Sequence, residues 1–151
     1  MNTEYHREVL AQLRAEAATP AYRVPPPVAD TLGCSIVDFL PMRSIHCEFP
    51  VTPAQDGLGG HSAFGHIMAA ADVTVSLLGL HVCGHPTMPI SFTMRHLRSL
   101  EAADASLTVE AKLLNRTKSL VYVEVKVWNS SGRAVAAGEA VLTVTKPGAR
   151  R

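Results

Sequence analysis

Val121, Val123, Val125 and Val127 alternate with Tyr122, Glu124, Lys126 and Trp128. A two-residue period of this kind predicts a strand over 119–128 with one apolar and one polar face. Residues 106–114 repeat the pattern, with Leu107, Val109, Ala111 and Leu113 set against Thr108, Glu110 and Lys112. Further strands are predicted over 34–40, 44–51, 87–97 and 133–145. Asn129, Ser130, Ser131 and Gly132 have the composition of a hairpin turn. Two stretches change period. Residues 2–18 place Val9, Leu10 and Leu13 on one side of a helix, which Pro20 and the extended connector Pro25–Pro27 bring to an end. Residues 63–82, AFGHIMAAADVTVSLLGLHV, predict a second helix that is apolar nearly all round, with Ser62 as its N-cap.

One residue breaks the apolar helix. Asp72 is the only fully charged side chain between Asp56 and Arg95. An unpaired carboxylate is costly to bury, and desolvation raises its pKa towards that of a useful base or nucleophile. At about 100° per residue, Gly65, Ala69, Asp72, Ser76 and Gly79 fall within roughly 80° of one another. The larger side chains Ile67, Leu77 and Leu78 point elsewhere. A stripe of small residues admits either a ligand or a closely packed neighbouring backbone.

Composition narrows the setting. The chain has 151 residues, 47% hydrophobic and 18% charged, with net charge +1. That size suits one ordinary domain, and the charge gives no electrostatic case for nucleic acid or an anionic membrane. Cys34, Cys47 and Cys83 are odd in number and unpaired in spacing, as expected of reduced thiols in a cytoplasmic protein. The central Asp and the small residues mark residues 63–82 as a core helix, not a membrane span. His81 and His85 are four apart, but Gly84 and Pro86 break the helix between them, and no metal site is expected. No P-loop, dinucleotide fingerprint or Gly-x-Ser-x-Gly elbow is present.

The order is helix, two strands, one long apolar helix, then a run of antiparallel strands. A curved antiparallel sheet wrapped around the long helix would bury all its faces. That is the α+β hotdog fold. It is expected over 25–146, preceded by an N-terminal helix and linker (1–24) and followed by a tail (147–151).

From Pro25 to Thr145 the chain resembles the hotdog acyl-CoA thioesterases of the phenylacetic-acid-degradation type. The resemblance is carried by PPPVADTLGCSIVDFLP, by GLGG followed by FGHIMAAADVTVS, by PTMPISFTMRHLRSL, and by the closing strands from Ser106 onwards. It implies hydrolysis of an acyl-CoA to free acid and CoA, with CoA as part of the substrate and no separate cofactor. In that family a His-Gly-Gly run leads into the helix, and the catalytic carboxylate follows nine residues after the His. Asp72 matches the acid and Gly65 the second Gly, whose N–H polarises the thioester carbonyl. Ala63 stands in the place of the His and Phe64 in that of the first Gly.

The resemblance also implies a homodimer, or a dimer-of-dimers tetramer, with the site between subunits. Gly65 and Asp72 are about 10 Å apart along one helix, too far to meet at one carbonyl carbon. Substrate contacts are expected from His61, Phe64, His66 and Ser76, and from Arg116 and Lys118 at the phosphates of CoA. Ser76 would orient a water or bond back to its own helix; Phe64 would line the acyl pocket or pack in the core. Two other readings of the fold are a non-catalytic acyl-CoA or lipid-binding protein and, less favoured, a dehydratase or hydratase using His61 and Asp72.

Overall fold

The computed structural model describes residues 3–17, 22–57, 64–101 and 103–144. Helix α1 (Thr3–Glu16) turns Val9, Leu10 and Leu13 inwards, as their spacing requires. A short helix α2 (Pro27–Thr31) begins at the last residue of the expected connector Pro25–Pro27. Pro27 is its first residue, a position where the missing N–H costs nothing and the fixed φ favours helix. Strands β1 (Ser35–Leu40) and β2 (Ser44–Pro50) form a hairpin, and a 3-10 turn (Pro53–Gln55) leads towards helix α3 (Phe64–Cys83). Strands β3 (Thr87–His96), β4 (Ser106–Arg116), β5 (Leu120–Asn129) and β6 (Ala134–Val144) complete the chain. The candidate N-cap Ser62 lies outside the described residues, as does the expected tail.

All six strands join one antiparallel sheet in the order β1-β2-β4-β5-β6-β3. Its inner face carries Ile45, Cys47, Phe49, Leu107, Val109, Val121, Val123, Val125, Val127 and Leu142, all fully buried. Helix α3 lies against that face and buries Ile67, Ala71, Val75, Leu78 and Val82. This is the hotdog arrangement, and the apolar helix is its core. Gly84 ends the helix: its φ of +70° suits glycine, and its N–H donates to Leu80 O at 2.8 Å.

The N-terminal helix shares this core; it is not a separate body. Glu16 Oε2 lies 2.6 Å from His81 Nδ1, while His81 Nε2 accepts from the Met42 N–H at 3.0 Å. His81 thus holds α1, α3 and the β1–β2 turn together. His6 Nδ1 accepts the Ile36 N–H at 2.9 Å, so α1 also covers the outer edge of β1. Strand β3 forms the other edge. Its Met88 and Ile90 are each 59% exposed.

Candidate active site

The small stripe of α3 divides into two environments. At its C-terminal end a Cβ on Gly79 would overlap Thr87 Oγ1 and lie 2.8 Å from Leu142 Cδ1. Helix and sheet are in close contact there, and no ligand could enter. At the N-terminal end a Cβ on Gly65 would meet nothing within 4 Å. Between these ends Met68, Ala69 and Asp72 of α3 face Pro89–Phe92 of β3 across an open groove of about 450 Å³. The stripe is therefore closely packed at one end and open at the other.

Asp72 is half-buried in the wall of this groove. Among the described residues no hydrogen bond or ion pair reaches its carboxylate. Burial pushes its pKa above the usual 3.8, and loss of hydration is the cause. A carboxylate that is poorly solvated, uncompensated and accessible is chemically competent as a base or nucleophile. Ser76, one turn further on, is half-buried. The helix residue that bonds back to a carbonyl is Thr74, whose Oγ1 donates to Ala70 O at 2.9 Å.

Gly65 is the second residue of α3 and is exposed. Its N–H belongs to the first turn, where amide groups lack helical acceptors and the helix dipole is positive. Phe64 begins the helix, half-buried, with its ring centroid 5.0 Å from that of His96 at the end of β3. It therefore packs against the core, one helical turn before Met68 of the groove wall and outside the groove lining itself.

The other expected contacts are dispersed. His66 is buried, and among the described residues its Nε2 has no partner; burial lowers its pKa and keeps it neutral. It is six residues from Asp72, or roughly 120° around the helix, so one subunit does not bring the two together. Arg116 ends β4 and Lys118 lies in the following turn, both exposed. The Arg116 charge acts on Cys83, which places it at the C-terminal end of α3. That is about 16 Å along the helix from Asp72 and about 27 Å from Gly65. His61 and Ala63 lie outside the described residues. No group of three metal-ligating side chains is present among the described residues.

The β3 wall was not anticipated. Residues 87–97 show a strand, but strand order is a long-range property, and nothing local says that β3 is an edge beside α3. Pro89 was the available signal, since proline within a strand favours an edge.

A family model described as the thioesterase superfamily matches residues 59–136. No curated protein matches the chain by sequence. Among solved structures the chain is similar to the PaaI protein of the Escherichia coli phenylacetic acid degradation operon. The identity is 16%, covering 93% of this chain and 95% of that one, with a TM-score of 0.72. A phenylacetic acid degradation-related protein from Ralstonia eutropha JMP134 is 24% identical over 90% of this chain and 98% of its own, with a TM-score of 0.72. A Streptococcus pneumoniae TIGR4 protein solved with coenzyme A is 15% identical over 74% of this chain and 85% of its own, with a TM-score of 0.68. At these identities the likenesses establish the fold.

Proposed function

We propose that this chain, which belongs to the thioesterase superfamily, hydrolyses an acyl-CoA thioester to free acid and CoA at a site shared by two subunits. The observation that carries the proposal is the desolvated Asp72 carboxylate in an open groove at the free edge of the sheet. The Streptococcus pneumoniae relative with bound coenzyme A supports the choice of ligand.

Distance is the argument for two subunits. Gly65 and Asp72 of one helix are about 10 Å apart along its axis. A second copy docked on β3 would cover Met88 and Ile90 and satisfy the free edge. It would also bring a second α3 towards the Asp72 groove. The Gly65 N–H of one subunit then stabilises the carbonyl oxygen as negative charge develops. Asp72 of the other promotes the attack in one of two ways. It deprotonates a water, or it attacks directly to give an anhydride that water opens. The thiolate of CoA leaves in either case. Arg116 and Lys118, both exposed, are the proposed contacts to the phosphates of CoA. The assembly is a homodimer or a dimer of such dimers.

Hydrolysis of a panel of acyl-CoA esters by wild type and Asp72→Asn tests this reading. Turnover by wild type and a loss of roughly 100- to 10,000-fold in the variant are expected. No turnover of any ester, or full activity in Asp72→Asn, would refute it. Phe64 in the place of the family's first glycine favours one second reading, a non-catalytic acyl-CoA-binding protein. Tight binding without turnover in the same assay would identify it.

A further inference from the structure

Phe64, Met68 and Asp72 occupy successive turns of α3, each four residues from the next, and so share one stripe. Strand β3 runs alongside in the opposite direction. His96 lies against Phe64, Phe92 joins Met68 in the groove wall, and Thr87 meets Gly79. The space between helix and strand therefore has two ends. One is filled by the contact of Gly79 with Thr87 and Leu142. The other is crossed by the Phe64 and His96 rings, with centroids 5.0 Å apart and planes inclined at 32°.

We propose that the Phe64–His96 pair is the end stop of the acyl groove and restricts the protein to short and medium linear acyl groups. This inference rests on the acyl-CoA reading above. With the thioester carbon at Asp72, the acyl chain extends past Met68, Ala69, Ile90 and Phe92, a largely apolar lining in which Ser91 is the one hydroxyl. Phe64 lies eight residues, or about 12 Å, before Asp72, which accommodates a linear chain of roughly eight carbons. Each methylene placed against these walls strengthens binding about fourfold. A methylene beyond the rings must turn out of the groove and gains nothing. His96 is exposed, so its ring is held at this point by the stack and not by the core.

Two series of measurements test the stop. Hydrolysis is followed for linear acyl-CoA esters of increasing length. Calorimetry follows the binding of S-alkyl-CoA thioethers of matching length, which cannot be hydrolysed. Wild type should gain about fourfold in affinity per methylene up to roughly eight carbons and then level off. His96→Ala, on the surface, and Phe64→Leu, which keeps an apolar side chain at the helix start, should both move the break to longer chains. An unbroken rise to sixteen carbons in wild type, or a break that neither variant moves, would overturn the stop. Absence of thioether binding would overturn both the stop and the acyl-CoA reading. A break that moves in the binding series without any hydrolysis would uphold the stop and refute the hydrolase.

Discussion

Gly79 of the central helix meets Thr87 of the edge strand so closely that a Cβ at position 79 would overlap the threonine hydroxyl. Gly65, on the same stripe, faces open space. Alanine at the two positions therefore acts in opposite directions. Gly79→Ala forces helix and sheet apart and should destabilise by about 1–3 kcal/mol. Gly65→Ala removes backbone freedom and should stabilise by up to about 1 kcal/mol while obstructing the approach to its N–H. Denaturant unfolding of both variants, with acyl-CoA hydrolysis measured alongside, checks the contrast. Adding Thr87→Ala to Gly79→Ala should recover part of the loss, because Thr87 Oγ1 has no hydrogen-bond partner among the described residues.

Asp72 has a stability signature of its own. Burial raises its folded-state pKa above the usual 3.8, so the native protein binds that proton more tightly than the unfolded chain does. The resulting stabilisation is complete below the ordinary carboxyl range and is lost as pH rises through the folded value. Near neutral pH the carboxylate is therefore a burden. Asp72→Asn should melt at a higher temperature than wild type at pH 7–8, with the gap narrowing as pH falls. The rate of hydrolysis should fall on the acid side as the same group takes up its proton. A melting temperature for Asp72→Asn below that of wild type at pH 8 would contradict the desolvated setting.

The N-terminal helix is held through His81, which bridges Glu16 at 2.6 Å and the Met42 N–H at 3.0 Å. Leu13, fully buried, anchors the same helix. Leu13→Ala should cost about 2–5 kcal/mol. His81→Ala leaves the Met42 N–H without its acceptor and Glu16 with only Gln12 Nε2, at 2.9 Å, as partner, and should cost about 1–3 kcal/mol. Hydrogen exchange should show α1 losing protection first in both variants.

Much of the fold was legible because its signals are local. Alternation marks β4 and β5 whatever they pair with, and an apolar run with one acid marks α3. The expected strand boundaries agree with the structure to within about two residues. The connector read as extended over Pro25–Pro27 ends one residue early, because the last of the three prolines suits a helix start and begins α2. The candidate site was only half legible. Asp72 and Gly65 lie on one helix, and helical periodicity relates them. Pro89–Phe92 and the Phe64–His96 contact join segments far apart in sequence, and their meeting depends on strand order, which no local pattern encodes.

The edge strand supplies a test of assembly. Met88 and Ile90 are exposed at the free edge of β3, where the second subunit is proposed to dock. Replacing Met88, which does not line the groove, with lysine should weaken that contact with little effect on the fold, since charge at an exposed edge is well tolerated. Sedimentation should show a smaller species, and hydrolysis should fall with dissociation. An unchanged assembly would place the interface elsewhere.

The central claim is that Gly65 of one subunit works with Asp72 of the other. Mixing subunits that carry Gly65→Asp with subunits that carry Asp72→Asn addresses it directly. Each substitution alone should abolish hydrolysis, the first by placing an anion where the oxyanion forms. The new carboxylate near a helix N-terminus should leave the fold intact. Refolded together at equal amounts, half the dimers carry both kinds of subunit, and one of their two sites is intact. Acyl-CoA hydrolysis should return to about a quarter of the wild-type level. Activity that stays at the level of the separate variants in demonstrably mixed dimers would contradict the shared site.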